Sequence, residues 1–177
     1  VYDSSGTSTL ELTAWTNDTT RATALVLQQG ILVRSAATTR RYVCSFRTTT
    51  VSGQTEDSYA RRFVWNYYHR VPRPMRVLEP TNSWTYTIAT WRQANAAAAN
   101  QLDFVVGVNE VPVEATVVST AYNSGAGVDF AVGIGLDSTS AVATGVLLAE
   151  GSANSTTTDS PQALVATVRT FPGIGRH

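Results

Sequence analysis

The chain has no lysine, one cysteine (Cys44), one methionine (Met75) and two histidines (His69 and His177) among 177 residues. A single thiol excludes an internal disulfide framework. Two histidines and one cysteine, with no His-x-x-x-His or Cys-x-x-Cys spacing, exclude the usual zinc-ligand patterns. No run of about 18 apolar residues occurs, so no membrane insertion is expected, and the start carries no signal-peptide pattern. No Gly-x-Ser-x-Gly elbow is present, and Gly133-Ile134-Gly135 lacks the following helix start and lysine of a phosphate loop. No cofactor is expected. Charged residues amount to 15%, low for a soluble enzyme. A surface so thin in charge is covered by partners or built from small polar residues, and Thr, Ser and Ala are abundant here.

What is present is concentrated. Residues 40–92 hold nine of the thirteen arginines and ten of the sixteen aromatic residues, but only three carboxylates, Glu56, Asp57 and Glu79. Nine against three leaves this segment at +6, and four arginines against ten carboxylates leave the remainder at −6. The neutral total hides a charge dipole along the sequence. Guanidinium is weakly hydrated and stacks on rings, so arginine with aromatics is the composition of desolvated contact surfaces. No comparable concentration of catalytic residue types occurs, which points to a contact-making structural module.

The dominant period is two. Val128, Phe130, Val132, Ile134 and Leu136 share one face, as do Leu102, Phe104, Val106 and Val108. Val113, Ala115 and Val117 form a further set, as do Trp84, Tyr86 and Ile88, and Tyr42, Cys44 and Phe46. Such alternation predicts strands with one buried face, with Cys44 a buried, inert thiol. Ala24 to Ser35 predicts a hairpin turning near Gln28-Gln29-Gly30. Further turn signals are Ser52-Gly53, Pro80-Thr81-Asn82-Ser83, Asn123-Ser124-Gly125 and Pro172-Gly173. Ser58 to Val71 also carries apolar residues at spacings of three and four, which predicts one short helix capped by Ser58. Gln93 to Asn100 has helical propensity but is too short to persist without packing. Gly151 to Pro161 reads as a polar loop. About ten short strands with small-residue turns predict an all-β, jelly-roll-like antiparallel β-sandwich with at most one or two short helices. Residues 1–35 would be strands and a hairpin leading into a sandwich of residues 36–177, as one domain. The chain opens on Val1 rather than Met and stops just after Gly-Ile-Gly-Arg, so it is expected to be cut from a longer polypeptide at both ends. The Ala-Gly-Gly side of the 128–137 strand would let a second backbone approach, from a neighbouring subunit or not at all.

Candidate chemistry is sparse. His69 has no neighbouring Asp or Ser pattern that reads as a triad. The carboxylate pairs Glu56-Asp57, Glu110 with Glu114, and Asp129 with Asp137 are the options for glycoside hydrolysis, but loop, turn and salt-bridge roles account for them better. Arginines interleaved with rings could stack on single-stranded nucleic acid, yet a neutral chain of pI 6.9 argues against it. Cation–π and salt-bridge contacts between strands or subunits are the plainer account. Asn17-Asp18-Thr19 and Asn154-Ser155-Thr156 match the glycosylation sequon, which matters only for a secreted eukaryotic chain.

Several blocks follow one another in order: Trp15-Thr16-Asn17-Asp18-Thr19-Thr20-Arg21-Ala22, Thr39-Arg40-Arg41-Tyr42, Phe46-Arg47-Thr48-Thr49, Gln54-Thr55-Glu56-Asp57-Ser58, Arg62-Phe63-Val64-Trp65-Asn66-Tyr67-Tyr68 and Arg70-Val71. Together with Gly133-Ile134-Gly135-Leu136-Asp137-Ser138 and Pro172-Gly173-Ile174-Gly175-Arg176-His177, they resemble a module of structural proteins of tailed bacteriophages and prophages. The resemblance covers most of the chain. It implies a trimeric β-sandwich head, attached to the particle by another segment, with more chain after His177 and no catalytic residue. On that reading the chain is a non-enzymatic capsid decoration or head-fibre protein at the virion surface. Its partners would be copies of itself and other virion proteins such as the major capsid protein. Arg40, Arg41, Arg47, Arg61, Arg62, Trp65, Tyr67, Tyr68 and Arg70 would make those contacts. The alternative is a receptor-binding head on a tail fibre or spike, stacking Trp84, Trp91 and Tyr122 on host surface glycan. A polysaccharide depolymerase ranks third and a secreted eukaryotic sandwich fourth.

Overall fold

A computed structural model describes residues 1–123, 129–145, 149–152 and 161–177. Its strands are β1 (Tyr2–Ser4), β2 (Thr7–Thr9), β3 (Trp15–Asn17), β4 (Thr20–Arg21), β5 (Leu25–Gln28), β6 (Ile31–Arg34), β7 (Ala37–Arg41) and β8 (Cys44–Phe46). They continue as β9 (Arg61–Arg62), β10 (Val64–Asn66), β11 (Asp103–Val106), β12 (Val113–Ala121), β13 (Asp129–Val132), β14 (Ala149–Ser152), β15 (Gln162–Thr170) and β16 (Gly175–Arg176). The chain is therefore all-β, as the alternation implies. Among the described residues the one helical element is a 3-10 turn at Ala94–Ala96. The strands pair in seven sheets of two or three, antiparallel except for the β9–β11 pair.

Two compact units divide the chain. The first comprises Val1–Leu78, Gln101–Asn109 and Pro172–His177, the second Glu79–Asn100 and Glu110–Phe171. In the first, β5–β6–β7 is a meander that runs straight across residue 35. Its first turn is the predicted one: Gln29 and Gly30 both take positive φ (50° and 81°), the two-residue geometry whose twist matches the flanking strands. The same geometry at Ser5-Gly6 joins β1 to β2, a Ser-Gly signal that the sequence reading passed over. β8 pairs with β10, and β11 lies between β9 and β16. In the second unit β12 and β15 form a nine-residue antiparallel ladder, and β13 pairs with β14.

The core of the first unit gathers Val33, Tyr42, Phe63, Val105 and Val106, and Pro172 is fully buried. Leu164, Ala166 and Val168 of β15 are the buried apolar residues of the second unit, and they lie opposite Ser119, Val117 and Ala115 of β12. That face of β12 is the one its alternation predicts.

Several expectations fail for identifiable reasons. Ser58 to Val71 forms no helix. The Ser58 hydroxyl does accept from the Arg61 amide (3.1 Å), as a cap would, but the chain then extends. Phe63 goes into the core, and Val64 to Asn66 pair with β8. Their β-branched and aromatic side chains suit a half-buried strand better than a helix face. Tyr42, Cys44 and Phe46 do not share a buried face: Tyr42-Val43 interrupts the strands, so Tyr42 and Ser45 are buried while Cys44 and Phe46 are exposed. In β11 the deeper face is Asp103 and Val105, not Leu102 and Phe104, while Val106, on the other face, is buried as well. Trp84, Tyr86 and Ile88 lie in an exposed loop without strand pairing.

The strand expected over 128–136 spans Asp129–Val132, with Phe130 and Val132 on its more buried side. Close backbone approach does occur just after it. A side chain at Gly135 would run into the Ser138 and Ala141 carbonyls, so the approaching backbone is the chain's own. Val128, Ser124-Gly125 of the expected turn, the sequon Asn154-Ser155-Thr156 and all but the first two residues and Pro161 of the expected 151–161 loop lie outside the described residues. Those two, Gly151 and Ser152, belong to β14.

Candidate functional site

The arginine and aromatic residues of the first unit meet around Arg21. The β3–β4 hairpin brings its side chain to β8 and the end of β11, where one terminal nitrogen donates to the Tyr42 hydroxyl (3.3 Å), the Ser45 hydroxyl (3.0 Å) and the Gly107 carbonyl (2.5 Å). The guanidinium lies over the Trp15 ring (4.4 Å) and the Tyr42 ring (4.9 Å). Tyr42 and Ser45 hydrogen-bond each other at 2.8 Å. Burial raises the Tyr42 pKa above 10.0, opposed by its hydrogen bond with Ser45 and the one it accepts from Arg21. Behind it the rings continue: Tyr42 to Trp65 at 6.3 Å, Tyr42 to Tyr67 edge-on at 5.7 Å, and Tyr67 to Tyr68 edge-on at 5.0 Å. Gly107 is the close-packed point, because a side chain there would strike the Tyr42 hydroxyl and the Trp65 ring.

Each expected contact residue of this segment has partners inside the unit. Arg40 pairs with Glu11 and lies over Tyr2 at 4.4 Å. Arg41 donates to the Tyr68 hydroxyl (2.6 Å) and lies over that ring. Arg47 faces Asp18 (3.6 Å) and Phe63, and Arg61 faces Glu56 (3.2 Å) and Asp103 (3.8 Å). Arg62 pairs with Asp57 (3.0 Å) and donates to the Pro74 carbonyl, and Arg70 lies over Tyr67 at 4.3 Å and over Trp65. Trp65 and Tyr67 are half-buried, and Tyr68 is exposed. Counting Arg21 and Arg92, seven arginines sit over rings, whereas a chain of this length has about two or three significant cases.

Glu56 and Asp57, inside the basic segment, face Arg61, Arg62 and Arg73, and three carboxylates from outside it join them. Glu11 holds Arg34 and Arg40, and Asp18 faces Arg47 and Arg176. Asp103, the buried acid of β11, faces Arg61 and Arg176, the latter at 3.3 Å. The asymmetry nevertheless persists between the units: the first carries eleven arginines against six carboxylates (+5), the second two against seven (−5). Arg21, Asp103, Glu11 and Asp18 are the organising residues missed in the sequence. The −6 remainder was the signal that could have pointed to the acids.

In the second unit Trp84, Trp91 and Tyr122 are 36%, 39% and 57% exposed. Trp84 and Trp91 share the 79–100 loop, whereas Tyr122 directly follows β12. Glu79 gathers that loop. It accepts from the Thr81 amide (2.8 Å), the Asn95 side chain (3.3 Å) and the Asn100 side chain. The hydrogen bonds from Thr81 first, and then from Asn100, bring its pKa down to about 2. The Tyr86 hydroxyl donates to the Gln93 carbonyl (2.5 Å) and accepts from the Ala96 amide (2.7 Å), while Arg92 lies over the Tyr86 ring at 4.5 Å.

Carboxylate chemistry finds little support in this geometry. Glu56 accepts from Ser58 (2.7 Å) and Arg61, which lower its pKa, where a general acid needs a raised one. Asp57 is held by Arg62 and Arg73, and Glu114 by Arg169 at 3.1 Å. His69 is exposed. Among the described residues no three His, Cys, Asp or Glu side chains gather as a metal ligand set, and no helix is long and apolar enough to cross a membrane. Comparison with family models, with curated proteins and with solved structures returned no match to this chain.

Proposed function

We propose that the chain is a non-enzymatic structural protein of a tailed-phage virion, a capsid decoration or head fibre on the particle surface that works as a homotrimer. One observation carries the reading. Among the described residues eight hydrophobic side chains are buried, whereas twenty-one large ones are exposed. Apolar side chains exposed together mark interaction sites, and this reading takes the exposed ones here to be covered in the particle. Glu11, Asp18, Glu56, Asp57 and Asp103 are each engaged by arginines of the first unit, so these pairs hold a scaffold and leave apolar and hydroxyl surface, with the surplus arginines, to the partner. Leu10, Leu12, Leu27 and Val118, each more than two-thirds exposed, are the contacts this reading expects with sister copies or the major capsid protein. The arginines favoured from the sequence support the scaffold from within.

Sedimentation equilibrium at micromolar concentration tests the assembly, with a mass of three 19.0 kDa chains expected. Antibody labelling of particles released by the host that encodes the chain tests the location. A monomeric chain that is also absent from purified particles overturns the proposal.

A further inference from the structure

Residues 79–100 are the second-unit part of the strand-free stretch between β10 and β11, a long loop that holds one 3-10 turn and far exceeds the usual connection of about 4–6 residues. Loops of that length are functional surfaces or unstructured linkers, and this one is built. Its two ends are joined through Glu79 and Asn100, and its middle is pinned by the Tyr86 hydroxyl between Gln93 and Ala96. Both of its charges are engaged within the loop. Glu79 accepts the hydrogen bonds above, and Arg92 lies over Tyr86 and donates to the Thr90 hydroxyl (3.0 Å) and the Ile88 carbonyl.

All of residues 81–92 are nonetheless exposed. They present the Trp84 and Trp91 indoles and Ile88, 64% exposed, interleaved with the uncharged groups of Asn82, Ser83, Thr85 and Thr87. The loop's one carboxylate is saturated by Thr81, Asn95 and Asn100, and its one guanidinium is drawn onto the Tyr86 ring with one nitrogen donating to Thr90 and Ile88, so neither charge is offered whole to an ion. Ring faces beside neutral hydrogen-bonding groups match a ligand that has apolar C–H faces, many hydroxyls and no charge. We propose that the 79–100 loop binds an uncharged oligosaccharide, with Trp84 and Trp91 as stacking platforms and Tyr86 as the residue that positions them. This does not rest on the oligomeric state proposed above.

The test is tryptophan fluorescence and calorimetric titration of the full chain with neutral hexasaccharides (β-1,4-glucan, α-1,4-glucan, β-1,4-linked N-acetylglucosamine), with sialylated and uronate oligosaccharides alongside. At least one neutral sugar is expected to bind. Trp84→Ala and Trp91→Ala should each weaken it on the order of tenfold, the size of a modest hot-spot truncation. Both rings are exposed, so an unchanged circular dichroism melt will separate lost binding from lost fold, and Val51→Thr, at an exposed position of the first unit, should leave binding intact. Tyr86→Phe keeps the ring and loses the hydroxyl. It should weaken binding and also raise amide exchange over residues 86–96, which loss of a sugar contact alone would not do. Binding to none of the neutral sugars at 10 mM (roughly the weak end of single-site sugar affinity) overturns the proposal, as does binding to acidic oligosaccharides only, or affinity unaffected by both tryptophan changes.

Discussion

Replacing Arg21 tests whether its guanidinium, rather than the surrounding rings alone, holds the first unit together. Arg21→Met keeps an apolar stem beside Trp15 and Tyr42 but deletes the three hydrogen bonds to Tyr42, Ser45 and Gly107. Tyr42 and Ser45 retain each other, so the group left unpaired is the carbonyl of buried Gly107. An orphaned buried acceptor costs about 1–3 kcal/mol, and losing the cation over two rings costs about 0.5–2 kcal/mol. The expected loss is about 2–4 kcal/mol, a large part of the roughly 5–15 kcal/mol that keeps a domain folded. Arg21→Lys keeps the charge without the planar fork and should lose about half as much. Urea unfolding followed by tryptophan fluorescence reads both variants, since Trp15 and Trp65 flank the site, and the midpoint should fall without a change in slope. Stability of Arg21→Met within about 0.5 kcal/mol of the parent would refute the argument. So would a lysine variant less stable than the methionine one.

Gly107→Ala should destabilise the first unit by about 1–3 kcal/mol, because its methyl group collides with Tyr42 and Trp65; a neutral alanine variant in thermal melts would contradict that packing. For Glu79 the folded pKa, about 2, lies below the ordinary 4.5. Its contribution is therefore complete above about pH 4.5 and is lost as pH falls through 2. The gap in melting temperature between parent and Glu79→Gln should narrow over that window, and a constant gap from pH 6 to 2 would count against the latch. Tyr42 runs the other way. Its raised pKa keeps the neutral phenol in the fold, so stability is full below pH 10.0 and declines as pH rises through the folded value. Tyr42→Phe should flatten that alkaline decline in a pH series of melts, and an unchanged decline would refute the assignment.

Local patterns were legible where one strand face meets a core and the other meets water. The β12 alternation is of this kind, while the β5–β6 hairpin was legible from its Gln29-Gly30 turn instead. Legibility failed where a polar residue goes inward. Ser45 and Asp103 are buried because Tyr42 and Arg21 satisfy one, and Arg61 and Arg176 flank the other. Those partners lie up to 73 residues away, a distance no local window spans. The aromatic richness of residues 40–92 was visible, but its destination was not. Composition says that arginine and rings will meet, while only the pairing of strands decides whether they meet within one chain or between chains.

The first unit is stitched from three stretches of sequence, with Gly175 and Arg176 hydrogen-bonded to β11, and His177 and Phe104 exchanging backbone hydrogen bonds of 2.9 and 3.0 Å. Residues 172–177 therefore act as a clasp, and a ribosome must deliver them before Asp103 meets Arg176. Such long-range closure is slow. A nascent chain waits with that carboxylate half-matched, and deleting residues 172–177 should leave residues 1–78 unable to settle.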